Sequence, residues 1–209
     1  MNKIIFNILL LIVLGGFAFL VVSKKRKENK KQRETWQEFS EKNNYKYNPY
    51  SISGNYKGLS FTIERYDHQS YTSVSALGVA LDKDKGTVYS IIKFNIPNLP
   101  KGLQIYLQEQ LTNSDLIPIT TQTNHPISTG DEEFDKAIVV RGENDNEVKK
   151  YFNSPRKEIL LKNLPLQRDC SIQPYGIHLT LPSRLDSLDE LEKIHKQLGD
   201  FAVELNNKK

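Results

Sequence analysis

Thr87-Val-Tyr-Ser-Ile-Ile-Lys-Phe-Asn-Ile96 (TVYSIIKFNI) places Val88, Ile92, Phe94 and Ile96 on one parity. Successive side chains of a strand point to opposite faces, so this pattern predicts a strand with one buried face. Leu59, Phe61 and Ile63 alternate in the same way with Ser60, Thr62 and Glu64, after a turn at Tyr56-Lys-Gly58. Tyr71–Leu81 reads as a further strand, joined to the first by Asp82-Lys-Asp-Lys-Gly86, and Leu103, Ile105 and Leu107 repeat the pattern after Pro97-Asn-Leu-Pro100. Cys170–Ile172 and Ile177–Leu181 should pair as a hairpin across Gln173-Pro-Tyr-Gly176. Phe134–Arg141 (FDKAIVVR) is apolar on both parities over Ala137–Val140, which predicts a central strand covered on both faces.

Helical signals gather towards the C-terminus. A short helix is expected from about Asp145 to Phe152. A second should open with Ser154 as N-cap and Pro155 at its first position, carrying Ile159, Leu160 and Leu161. Ser187-x-x-Glu190 is a capping box. Behind it Leu185, Leu188, Leu191, Ile194, Leu198, Phe201, Ala202 and Leu205 form one apolar stripe. A stripe that wide packs on its own sheet, with a coiled-coil partner as the alternative. Residues 112–133 are polar with Pro118, Pro126 and Gly130, and read as a long loop. The fold class is therefore α+β: one antiparallel-sheet domain with C-terminal helices.

An N-terminal transmembrane helix is expected ahead of that domain. Ile4–Val22 is a nineteen-residue run in which Asn7 is the one strongly polar side chain. As a helix it would span roughly 28 Å, close to the thickness of a bilayer core. A cleaved signal peptide is the alternative, but the run exceeds the usual apolar core of such peptides and no Ala-x-Ala-like site precedes Ser23. Lys24, Lys25, Arg26, Lys27, Lys30, Lys31 and Arg33 follow the run, whereas only Lys3 and the amino terminus precede it. Cations collect on the cytoplasmic side, so the N-terminus should lie outside and the C-terminal domain in the cytoplasm. The same cluster, Lys24–Arg33, can attract anionic lipid headgroups. Three segments follow: an anchor over 1–23, a basic juxtamembrane helix or linker over 24–44, and an α+β domain over 45–209. Trp36 and Phe39, three apart on one helix face, should dock the tether onto that domain.

Composition narrows the function. The net charge of +4 divides into +7 over residues 1–33 and −3 over the remainder, with 21 cations against 24 anions. A mildly acidic domain lacks the basic face that nucleic-acid affinity needs. The one cysteine, Cys170, excludes an intrachain disulfide.

Few groups suggest chemistry. Cys170 and His178 would point to opposite faces of their hairpin and form no nucleophile–base dyad. His68, His125, His178 and His195 lack partners at metal-ligand spacing, and His195 sits beside the terminal stripe as a packed or surface histidine. Asp82-x-Asp84-x-Gly86 begins like a calcium loop but has Lys93 where a bidentate Glu is required. Gly130-Asp-Glu-Glu-Phe-Asp135 offers four carboxylates in five residues; convergence of Asp131 and Asp135 with His125 or Arg141 would favour an enzyme. Solvation of a loop-to-strand junction is the simpler reading. No catalytic residue, cofactor or metal ligand is assigned.

From Gly130 onward the order of features resembles a set of uncharacterised, bacterial, single-pass membrane-anchored proteins. The likeness rests on Gly130-x-x-x-Phe134-Asp135, Pro155-Arg156, Leu160-Leu161, Trp36-x-x-Phe39 and Gly54-x-Tyr-x-Gly58. It implies an α+β domain in which Gly54 and Gly58 serve turns and Phe134 and Asp135 a strand entry, and it carries no activity. The expected function is a membrane-tethered module that binds an unidentified protein or a ligand near the bilayer, with a membrane-anchored hydrolase as the alternative.

Overall fold

The computed structural model describes residues 23–24, 26–67, 88–108, 125–164, 170–181 and 183–207. Among the described residues one antiparallel sheet of eight strands forms the frame: β1 (Lys46–Asn48), β2 (Ser51–Tyr56), β3 (Leu59–Asp67), β4 (Val88–Asn95), β5 (Gln104–Leu107), β6 (Ile138–Arg141), β7 (Cys170–Gln173) and β8 (Gly176–Leu181). Their order across the sheet is β1-β2-β3-β4-β8-β7-β5-β6. Among the described residues five helices accompany them: α1 over residues 26–43, α2 (Glu132–Ala137), α3 (Asp145–Tyr151), α4 (Ser154–Asn163) and α5 (Leu188–Asn207). The strand expected at Tyr71–Leu81, its Asp82–Gly86 turn and most of the 112–133 loop lie outside the described residues. So does the run Ile4–Val22; among the described residues no helix is long and apolar enough to cross a membrane.

Register divides the sheet into two faces. Phe61 opposes Phe94, Phe94 opposes Ile177, and Ile63, Ile92 and Leu179 continue the same face, all essentially without exposure. α5 covers this face with Leu191, His195, Leu198, Phe201, Ala202 and Leu205. Its stripe is therefore satisfied within the chain. The approach is close: a Cβ at Gly199 would fall 2.6 Å from a ring carbon of Tyr56. Ser187 begins α5 as the capping box predicts, its hydroxyl accepting from the Glu190 N–H at 3.5 Å.

Two expectations are corrected. Phe134–Arg141 is not a central strand. Asp131 caps a helix by accepting from the Phe134 N–H at 3.2 Å, and Glu132, Glu133 and Asp135 favour the positive end of that helix. Residues 132–137 are thus helical, and only Ile138–Arg141 remain as β6, at the sheet's edge. Ile138 and Val140 are buried while Val139 is half-buried, so the double-sided apolar pattern came from splicing a helix end onto an edge strand. The edge is closed by the Ile127 N–H, which donates to the Val140 carbonyl at 2.9 Å. At α4 the cap is Asn153, whose side chain accepts from the Arg156 N–H at 3.1 Å; Ser154 and Pro155 already lie inside the helix.

Candidate functional site

The acidic segment does not form a reaction centre. Asp131 caps α2 and pairs with Lys157 Nζ at 3.3 Å; the Phe134 backbone N–H, helped by Lys157, holds its carboxyl below the usual value. Asp135 turns back onto the preceding loop. Its carboxylate accepts from the Ser128 hydroxyl (2.7 Å), the Thr129 hydroxyl (2.7 Å) and the Thr129 N–H (3.0 Å). Burial alone would raise its pKa, but these donors outweigh it and the shift is downward. Glu132 pairs with Lys136 one turn on, and Glu133 is exposed. His125 goes elsewhere, to Asp145 at 2.9 Å. The carboxylates are thus divided among a cap, a loop brace and solvent. Replacing Asp135 with alanine should lower stability by about 1–2 kcal/mol, with the urea midpoint shifted at constant slope, because several donors lose one acceptor. Asparagine should recover part of that loss.

Cys170 and His178 occupy opposite faces of the β7–β8 hairpin, where Ser171 opposes His178 and Cys170 opposes Leu179. Cys170 has no exposure. His178 lies beside Lys93, and burial together with that charge pushes its pKa down to about 4. Among the described residues no group of three His, Cys, Asp or Glu is arranged to hold a metal ion; His68 lies outside them.

The feature with the most specific geometry joins α1 to the rest of the domain. Trp36 and Phe39 are each 1 % exposed and are built into the core, as their spacing predicted. Three successive carbonyls ahead of α5 accept from α1 side chains. Gln32 Nε2 donates to Arg184 O (2.5 Å), Trp36 Nε1 to Leu185 O (3.1 Å) and Thr35 Oγ1 to Asp186 O (3.1 Å). Leu185 holds a left-handed backbone, with φ of 48°, to present its carbonyl this way. Nearer the N-terminus of α1, Asn29 Oδ1 accepts from both Arg184 Nη1 (2.7 Å) and Arg65 Nη2 (3.0 Å), and Arg184 also meets Glu28 at 3.3 Å. None of Asn29, Gln32, Arg65 and Arg184 was singled out from sequence; each bond except Arg65–Asn29 spans about 150 residues.

No family model, curated protein or solved structure matches this chain. Glu28, Asn29, Gln32, Thr35, Trp36, Phe39 and Ser40 form the docked face of α1; Lys24, Arg26, Lys27 and Lys30 are exposed, Lys31 reaches back to Asp186 at 3.3 Å, and Arg33 lies over the Tyr50 ring. Four of these cations are consequently displayed on the part of α1 that does not face the clamp.

Proposed function

We propose that the chain is a single-pass membrane protein, anchored through Ile4–Val22 with its N-terminus outside, whose cytoplasmic α+β domain is an interaction module held against the bilayer. The observation that supports this most is the clamp on α1. Asn29 is seven residues beyond Val22, which would be only about 10 Å if the intervening chain were helical. With Ile4–Val22 in the membrane, the clamp would bring the end of the sheet marked by Arg65, and Arg184 in the segment that follows β8, close to the headgroups. The outward cations of Lys24–Arg33 then meet the anionic leaflet, each adding on the order of 1 kcal/mol of attraction. The rest of the domain is left for a protein or ligand partner. The carboxylates at 131–135 do not favour a hydrolase, since each with a partner is bound to a cap, a brace or a neighbouring lysine.

Topology tests this reading. Reporters that are active only in the cytoplasm or only outside are fused in turn after Lys209. The cytoplasmic one should be active and the other silent. The reverse result would place the domain outside and overturn the proposal.

A further inference from the structure

His195 lies where α1, α5 and the sheet meet, and aromatic rings surround it. The ring centroids of Phe61, Tyr56, Phe39, Phe94 and Tyr45 stand 4.5, 5.0, 5.2, 5.4 and 5.5 Å from its own. The residue is 4 % exposed, and its Nε2 has no hydrogen-bond partner among the described residues. α1 contributes Phe39, the link to β1 contributes Tyr45, and β2, β3 and β4 contribute Tyr56, Phe61 and Phe94. None of these is charged near neutrality, since burial moves the Tyr45 and Tyr56 phenols upward. The nearby charge is Asp200 on α5 itself. Its carboxylate already accepts from Lys57 Nζ (2.6 Å) and the Tyr56 hydroxyl (2.9 Å), bonds that keep it ionised below the usual carboxylate range. A neutral imidazole fits this box. An imidazolium would lose most of its hydration, and its Nε2–H would have no acceptor among the described residues. The ring faces return part of that cost, but burial prevails and holds the imidazole down at about 4.

We propose that His195 is an acid-operated latch, whose protonation releases α1 and the adjoining turns of α5 from the sheet while the strands remain paired. The site favours this order of events, because α1 is held along one face only whereas the strands share a continuous ladder. The sign follows from proton affinity. The docked state binds the proton more weakly than the open state, so opening is promoted as pH falls from about 6.5 towards 4 and is unaffected above that window. The full span corresponds to about 300-fold in the opening equilibrium.

The test uses the full chain in detergent micelles, with amide exchange corrected for intrinsic rates and with iodide quenching of Trp36, the one tryptophan. Between pH 7 and 4.5 the opening of residues 36–43 should rise about 60-fold, and Trp36 should become quenchable, while β3 and β4 change far less. His195→Gln should abolish the rise, and His195→Phe serves if that variant does not fold. His178→Gln, on the opposite face, should keep it. Several results would overturn the latch: a wild-type profile that stays flat, a rise that survives in both His195 variants, or one removed by His178→Gln instead. An imidazole resonance of His195 that titrates near 6.5 with α1 still protected would do the same.

Discussion

Replacing Gly176 with alanine should cost on the order of 4 kcal/mol or more. Gly176 opens β8 opposite Asn95, with φ of 150°, and a Cβ built there would run into the carbonyl oxygen of Phe94. That atom belongs to the backbone of β4, so no side chain can swing away to make room. The strand itself would have to move. β4 and β8 are the middle pair of the sheet, and Phe94 and Ile177 on them support the core that α5 covers. A domain of this size has a total stability of roughly 5–15 kcal/mol, so the loss would be a large fraction of it. Serine should be as harmful as alanine, because the clash is with Cβ. Chemical denaturation of the full chain followed by circular dichroism measures this; a variant within 1 kcal/mol of the parent would mean that β4 and β8 are not paired as described.

Trp36→Ala should lower stability by about 3–5 kcal/mol. Trp36 is 1 % exposed, and its indole N–H satisfies the Leu185 carbonyl in the segment that leads into α5. Truncation removes the largest side chain from the seam between α1 and the domain and leaves that carbonyl without its donor. Trp36→Phe should recover the apolar part but not the hydrogen bond, and so lie between the two. Because Trp36 joins α1 to the chain ahead of α5, the loss should appear first as faster amide exchange along α1. A variant that unfolds globally without that early phase would contradict the assignment of Trp36 to the seam.

The parts of this fold that were legible in the sequence are those whose determinants lie close together in the chain. The 170–181 hairpin was readable to its register, because a two-residue turn at Pro174-Tyr175 fixes which residues face each other. α5 announced itself through Ser187, Glu190 and a regular stripe. α2 was missed because six residues of helix display too short a period against the apolar run that follows. The cap at Asn153 was assigned one residue late, since Asn, Ser and Pro in succession offer two plausible starts. The clamp could not be read at all. Arg184, Asn29 and Gln32 are unremarkable polar residues until the fold brings together positions about 150 residues apart. His195 was legible as a histidine beside the stripe, but not its aromatic enclosure, which draws on α1, the link after it and three strands.

With Ile4–Val22 in the membrane, the proposed orientation turns Arg65 and Arg184 towards the bilayer and the turns at the other end of the sheet away from it. Tyr175 marks that far end, where its carbonyl accepts from the Ile96 N–H and its side chain is 78 % exposed. Arg65 and Ser60 are five residues apart on β3, about 17 Å along the strand. The most direct measurement reconstitutes the full chain in nanodiscs containing a nickel-chelating lipid and compares spin labels at Lys30→Cys and Tyr175→Cys; Cys170 is fully buried and does not compete. Strong relaxation of the label at position 30 and little at 175 is the predicted result. Equal relaxation at both positions, or none at position 30, would contradict a domain clamped against the membrane.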